Sequence, residues 1–455
     1  MAEPVSITYK SPHPVAKQSG AKGEGVLTAS ATACYTAPMP AVMRSYRLRA
    51  YPNGAQVRML NQWFGAARWL WNYSLASRTK AYQRRKESLT SIDISRRLTK
   101  LKTLPKYAWL SAPPATCLTQ TLRDQDATFR HFFRRVKAGE NPAGYPRFRP
   151  RHEHTTSLRF QGVSLPKWVK GTVSLHKLGA VKLAEPLPNV QRPDTVTLKR
   201  ESDGRYYITF SAKVEVALLP VTNRVIGVDL GLTHLATLSD GTKIENPRHY
   251  RARLRYLRQQ QRCLSRRQKG SKRRERQRLK VARIHAKIRA RRQYTAHQFT
   301  TRLVRNFDVI AVEDLAVKNM IRHPRLARSI ADAGWGEITR QLEYKCAWYG
   351  RTLVKVDRWF PSSKTCSACG HKLERLALSV RGWTCPDCGA IHDRDINAGQ
   401  NILLAGMSQI GGREDRDLRR EGGALAGDGE TAPDELRTGQ IASELFSNGF
   451  NQINL

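Results

Sequence analysis

The sequence predicts an α/β chain of several domains, and three observations predict it. Residues 52–140 repeat apolar side chains at helical spacing. Residues 141–220 shift towards a period of two. From residue 221, apolar strand-like runs alternate with long basic helices, followed by two closely spaced cysteine pairs. At 455 residues the chain has room for about three domains of ordinary size, each with its own core. Lysine and arginine number 79 against 37 aspartates and glutamates, a net charge of +42. A surplus of that size repels itself unless a polyanion neutralises it, either a nucleic acid or an anionic membrane surface. Hydrophobic residues at 40% and charged residues at 25% fit a folded protein and exclude a wholly disordered one. No run approaches the roughly 18 apolar residues of a membrane span, and Met1 to Gly25 lacks the apolar core of a secretory signal. A cytoplasmic protein is expected.

Residues 1–43, rich in Ala, Pro, Ser, Thr and Gly without a period, read as a disordered extension. Met43 directly precedes the first patterned run and is the expected true start. Intact-mass analysis of the native protein checks this, and a product retaining Met1 refutes it. Residues 44–51, around Tyr46 to Ala50, read as a strand that joins the later β-rich domain. Over 52–140, Leu60, Phe64, Ala67 and Trp71 form one helical stripe, and Leu118, Leu122, Phe129, Phe133 and Val136 form another with arginines interleaved. Trp69, Trp71 and Tyr73 are candidates to stack on bases, although Trp71 suits the helix core better. Residues 141–220 hold short strands around Leu158–Phe160, Val173–Leu175, Val196–Leu198 and Tyr206–Phe210, between Gly, Pro and Asn turns, and predict a small β-barrel. Residues 221–358 begin with the buried-strand pattern Val225 to Gly231 and contain two long helices. Between Arg251 and Gln293 the only acid is Glu275, a density that points to phosphate binding. Residues 359–391 hold the cysteine pairs, and 392–405 a further acid and helix. Residues 406–455 read as mostly disordered.

Three acids stand out. Asp229 lies within a hydrophobic strand, where a carboxylate is costly to desolvate unless it is paired or bound to a metal. Glu313 ends the apolar run Val309–Val312. The third lies in His392-Asp393-Arg394-Asp395-Ile396-Asn397-Ala398, just before a helix. Any one alone is an ordinary strand-end acid. Together, and remote in sequence, they predict a site assembled by folding, with oxygen ligands suited to Mg²⁺ or Mn²⁺. Two such ions about 4 Å apart activate a water and stabilise a leaving oxygen, the chemistry of phosphodiester hydrolysis.

Cys366, Cys369, Cys385 and Cys388 form two C-x-x-C pairs, and 15 residues separate Cys369 from Cys385. That spacing predicts a zinc ribbon, with Gly370 and Gly389 supplying tight turns around the thiolates. Four thiolates fill a tetrahedral site, so this Zn²⁺ is expected to be structural. The other four cysteines read as small buried hydrophobes or surface thiols.

Gly227-Val228-Asp229-Leu230-Gly231, Val312-Glu313-Asp314-Leu315, the paired C-x-x-C and His392 to Ala398 occur in an order that resembles the TnpB (OrfB) proteins of IS200/IS605 insertion sequences, which are similar to the small ancestors of type V CRISPR effectors. Tyr51-Pro52 with Gly65-Ala66-Ala67-Arg68, Tyr145-Pro146-Arg147-Phe148-Arg149, Asp332-Ala333-Gly334-Trp335-Gly336 and Tyr344 to Gly350 also look like that family. The resemblance covers about residues 44–405. It implies a helical recognition-type domain, a wedge-like β-barrel, and a RuvC-like, RNase H-type nuclease domain over 221–358 and 392–405 with the zinc ribbon inserted. It also implies an RNA-guided DNA endonuclease that takes a guide RNA from the transposon end and cuts matched double-stranded DNA beside a short adjacent motif. By matching motifs, Asp229, Glu313 and Asp395 are the magnesium-binding, catalytic acids. Asp395 is preferred to Asp393 because the family's acid stands two residues before the Asn-Ala pair. The implied setting is the bacterial cytoplasm, at the nucleoid. Two other readings are weighed: a transposase that itself joins strands, and an RNA-guided DNA-binding regulator that does not cut. The regulator predicts a lost acid, and all three are present.

Overall fold

A computed structural model describes residues 41–421. It leaves out 152–155, 163–165, 170, 187–189, 191–192 and 378, and gives side chains through Ile410. The extension expected over 1–43 therefore lies outside the described residues except at its end. Residues 41–43 are not loose: they open strand β1 (Ala41–Tyr51), where Ala41, Val42 and Met43 pair with Glu215, Val214 and Lys213.

Asn53 starts helix α1 (Gly54–Arg85) with a reciprocal cap: its side chain accepts the Gln56 N–H, and the Gln56 side chain accepts the Asn53 N–H. The predicted stripe of Leu60, Phe64, Ala67 and Trp71 is buried. Helix α2 (Ser91–Lys102) and helix α3 (Ala115–Lys137) pack beside it. A buried link fixes α1 to α3, where Gln125 receives the Ser74 hydroxyl and donates to the Trp71 carbonyl.

Strands β2 (Thr156–Gln161), β3 (Lys167–Val169), β4 (Thr172–Leu175), β5 (Gly179–Leu183), β6 (Thr195–Arg200) and β7 (Tyr206–Glu215) join β1 in a seven-stranded antiparallel sheet. Its order is β2-β6-β7-β1-β5-β4-β3. The expected barrel is not closed: β2 and β3 stand at the two ends and do not pair with each other among the described residues. Helical side chains fill the opening, with Leu60, Trp63, Phe64, Ala67 and Cys117 sharing one core with the sheet.

The second sheet is built from β8 (Val225–Asp229), β9 (His234–Leu238) and β10 (Lys243–Glu245). After helices α4 (His249–Ser265) and α5 (Lys272–Asn306) it gains β11 (Val309–Glu313). After α6 (Val317–Met320), α7 (Ala327–Ala333) and α8 (Trp335–Tyr349) it gains β12 (Thr352–Val356). The order is β10-β9-β8-β11-β12. β8, β11 and β12 run parallel, while β9 and β10 are antiparallel neighbours. Ile226, Val228, Ile310 and Val312 face α5 and α8. Ala311, Val354 and Val356 face the other way, against Ile402 of the last helix. A three-layer α/β unit results, each strand alternating its side chains between two buried faces.

A small hairpin, β13 (Gly382–Thr384) with β14 (Ile391–Asp393), precedes helix α9 (Arg394–Glu421). Helix α9 corrects the expected tail. It passes Gly406 and continues to Glu421, because Ile402, Ala405 and Ile410 keep apolar contact with the sheet. The remainder of the expected tail, from 422 on, lies outside the described residues. Among the described residues, no helix is long and apolar enough to cross a membrane.

Candidate metal centres and nucleic-acid interface

Two predicted acids end neighbouring strands. Val228 of β8 pairs with Val312 of β11 in parallel register, and Asp229 and Glu313 each follow by one residue. Both carboxylates therefore leave the sheet at the same edge.

The third acid reaches that edge through a close helix–sheet crossing. A Cβ on Gly227 would stand 2.0 Å from the Gly399 carbonyl oxygen and 2.8 Å from the Leu403 nitrogen, and one on Gly399 would stand 3.1 Å from the Ser239 nitrogen. Only glycine allows this contact between backbones. Asp395 lies one helical turn before Gly399, about 6 Å along the axis. The Asp229 carboxyl feels the charges of both other acids. Burial raises the Asp229 carboxyl to about 7, the charges of Asp395 and then Glu313 push it the same way, and Arg394 and Arg381 pull against them. Burial also raises Glu313. The carboxylates do not converge on one point. Among the described residues, the one group of three or more ligand side chains with all ligand atoms within 4.8 Å of one another is the cysteine group.

Asp393 does different work. Its Oδ1 accepts the N–H groups of Asp395 (3.0 Å) and Ile396 (3.1 Å), and its Oδ2 pairs with Lys243 Nζ at 2.6 Å. It closes the amino end of α9 and, through that, sets the direction of Asp395. The Asp395 carboxylate pairs instead with Arg381 Nη1 at 3.2 Å, an arginine of the cysteine-bearing segment.

The four cysteines meet as their spacing predicts. Sγ of Cys366 lies 3.7 Å from that of Cys388, and Sγ of Cys369 lies 3.6 Å from that of Cys385. A tetrahedral zinc–thiolate site with bonds of about 2.3 Å needs sulfurs about 3.8 Å apart, so the donors fit the ion. The knuckle turns close through Gly370 N–H to Cys366 O and Gly389 N–H to Cys385 O, at φ of +82° and +71°. Burial opposes the Cys366 thiolate. The N–H groups of Cys369 and Ala368 and the ring of His392, 3.0 Å from Sγ, outweigh it and bring the thiol down to about 5.

The two centres are joined by Asn397, which sequence reasoning used only as a landmark, and by Asn401, which it did not name. Asn397 donates to the Thr365 carbonyl (2.8 Å) and accepts the Ser367 N–H (2.9 Å). Asn401 donates to the carbonyls of Ser362 (2.8 Å) and Thr365 (2.6 Å). Helix α9 thus grips the first cysteine knuckle. The visible signal for these residues was the Asn-Ala motif; their spacing of four on one helix face was the missing clue.

The basic helices present two cationic surfaces. Arg251, Arg255, Arg258 and Arg262 lie on one face of α4 and line a shallow cavity of about 610 Å³. A groove of about 500 Å³ runs between α5 and the antiparallel sheet, lined by Arg47, Arg205, Tyr207, Lys280, Arg283 and Lys287. Glu201 braces it by pairing with Arg47 (2.9 Å) and Arg289 (2.6 Å), and Arg278 donates to the Ser202 carbonyl at 3.0 Å. Of the aromatic candidates, Trp71 is core: it is 5% exposed and donates to the Arg147 carbonyl. Trp69 stacks on Tyr73 at 5.0 Å.

Three family models match the chain. One described as "Probable transposase" covers residues 209–323, one described as "Helix-turn-helix domain" covers 39–87, and one described as "Cas12f1-like, TNB domain" covers 335–402. A Streptomyces pristinaespiralis protein named "Putative RNA-guided DNA endonuclease" is 40% identical over 373 residues, which is 81% of this chain and 91% of that protein. An Escherichia coli protein named "Putative RNA-guided DNA endonuclease InsQ" is 30% identical over 385 residues, 81% of this chain and 93% of that one. A solved Cas12f1–sgRNA–target DNA complex aligns with 80% of this chain and 99% of its own at a TM-score of 0.47 and 13% identity.

Proposed function

This chain belongs to the TnpB (OrfB) family of IS605-type elements, and from that premise we propose that it is an RNA-guided DNA endonuclease, with Asp229, Glu313 and Asp395 as the acids of a RuvC-like nuclease centre. The observation that carries the assignment is geometric: β8 and β11 end in register at Asp229 and Glu313, and the Gly227–Gly399 crossing lays the helix of Asp395 against β8. An all-carboxylate donor set suits Mg²⁺ or Mn²⁺, and a pair of these ions, when bound, supplies an activated water and neutralises the leaving oxygen. The strand ends and the α9 crossing hold the donors in place. Arg381 lies beside Asp395 and balances negative charge at the centre. The cysteine set would hold Zn²⁺ as a structural ion that keeps its segment folded, since its four thiol donors fit that ion.

Guide RNA and double-stranded target DNA are the proposed partners. The α4 arginine face and the α5 groove offer cations without a built pocket for any base, as suits a heteroduplex held by its backbone while pairing reads the sequence. The test is to sequence the RNA that co-purifies with the protein, then to challenge the complex with a matched plasmid library carrying randomised flanks. Guide-dependent double-strand cleavage that needs a divalent cation is the expected result. Joined transposon circles made by the protein alone would sink the proposal in favour of a transposase. Guide-dependent binding without cutting would favour a regulator.

A further inference from the structure

Trp359 is 85% exposed, the most exposed large hydrophobic side chain among the described residues; Trp109, for comparison, is 43% exposed. A single exposed apolar residue is ordinary on a protein surface. The position and the anchoring of this one are not.

Glu313 of β11 pairs with Val356 of β12, and Trp359 follows three residues later. Asp314, next to Glu313, donates its N–H to the Val356 carbonyl at 2.9 Å, and its carboxylate pairs with the Arg358 guanidinium. Trp359 therefore follows the end of β12 on the side of the sheet from which Asp229 and Glu313 emerge. The backbone beneath it has little freedom. The Trp359 N–H donates to Asp357 Oδ1 at 2.7 Å, and the next side chain, Phe360, packs against Ala311, Val354 and Ile402. Farther along the loop, Asn397 and Asn401 hold the carbonyls of Ser362 and Thr365, and both asparagines belong to the helix that carries Asp395. The segment that carries the ring is thus tied to two of the elements that position the acids, while the ring itself stays open to solvent.

We propose that Trp359 is a positioning residue that stacks on an unpaired nucleobase of the strand entering the carboxylate centre, so that the neighbouring phosphodiester is presented to Asp229, Glu313 and Asp395. The proposal rests on the nuclease reading above. Stacking suits this role because every base offers a flat face, so the strand is held whatever its sequence. Guide pairing leaves unpaired DNA to be held, since the displaced strand loses its partner.

The test uses the guide-loaded protein as wild type, Trp359→Ala and Trp359→Phe, on matched DNA with each strand labelled separately. One substrate carries 2-aminopurine beside the scissile phosphate. Trp359→Ala is expected to slow cleavage of the captured strand roughly 10- to 100-fold. Melting temperature should stay at the wild-type level, because the ring is exposed, and target affinity, carried mainly by guide pairing, should fall less than the cleavage rate. Trp359→Phe should recover most of the rate. The 2-aminopurine signal should be quenched in the wild-type complex and bright in Trp359→Ala. The two labels identify which strand is held. Wild-type cleavage by Trp359→Ala, with an unchanged 2-aminopurine signal, would overturn the proposal and point to a protein partner for this side chain. If wild type binds guide and target yet does not cut, the nuclease reading fails, while the 2-aminopurine comparison still decides whether Trp359 stacks.

Discussion

The cysteine centre arises within one stretch, Cys366 to Cys388, and its sulfurs already stand within 4.8 Å of one another. The carboxylate centre draws on β8, β11 and α9, and its acids gather at a shared edge without closing on a point. The first needs two tight turns. The second needs a parallel sheet in register and a helix laid against it, backbone on backbone. A locally built centre serves stability, and its loss should unfold its surroundings. A centre built by remote elements leaves space for substrate, and its loss should stop chemistry before it disturbs folding.

Single substitutions can break this contrast. Asp229→Ala or Glu313→Ala should reduce cleavage at least about a thousandfold, several kcal/mol of transition-state stabilisation, while the guide-loaded protein still binds its target. Retained cutting in a plasmid assay would remove these acids from the centre. Cys366→Ser with Cys369→Ser should lower the melting temperature by about 10 °C or more, read by calorimetry with and without added Zn²⁺. An unchanged transition would show that the cysteine centre holds nothing together. Gly227→Ala tests the crossing between the two: its Cβ would meet the Gly399 carbonyl at 2.0 Å, and the repacking should cost about 3 kcal/mol. Denaturant unfolding measures this, and a neutral result would refute the close approach.

A subtler test uses pH. The Asp229 carboxyl is raised from an unfolded value near 3.8 to about 7, so between those values the folded chain binds the extra proton. Asp229 should therefore cost stability as pH rises from about 4 to 7, seen without Mg²⁺ as the difference between wild type and Asp229→Asn, and Mg²⁺ should stabilise wild type more at pH 8 than at pH 5.5. Equal Mg²⁺ protection at both values, in thermal melts, would contradict the assignment. The smallest effect belongs to the groove. Lys280→Ala with Lys287→Ala should weaken nucleic-acid binding and reduce the salt-dependence slope by about 2, one for each lysine–phosphate pair removed. Titrations at several salt concentrations read the slope, and an unaltered one would place the polynucleotide elsewhere.

The cysteine centre was legible in the sequence because a C-x-x-C pair needs only local geometry. Asp229 and Glu313 were legible as strand-end acids because a short, nearly continuous apolar run marks a buried parallel strand. Choosing Asp395 over Asp393 needed a family motif, since spacing treats both alike. Their difference lies in which one meets the α9 amide groups. Gly227 inside a strand was an unused signal for the helix crossing. Barrel closure was not legible, because the alternation within β2 and β3 is the same whether these edge strands pair or helix α1 fills the gap between them. The extent of α9 was misread from its glycine- and acid-rich composition, whereas Ile402, Ala405 and Ile410 carry the helix onward.

The tie between Asp393, the opening amides of α9 and Lys243 has a practical outcome for anyone surveying this gene by saturation mutagenesis. Position 393 will score as intolerant as its neighbour two residues on, although in the proposed centre it meets no ion, because it aims the side chain that does. Ranking positions by damage alone would therefore count one acid too many, and metal titration of the damaged variants is what separates the aimer from the ligand.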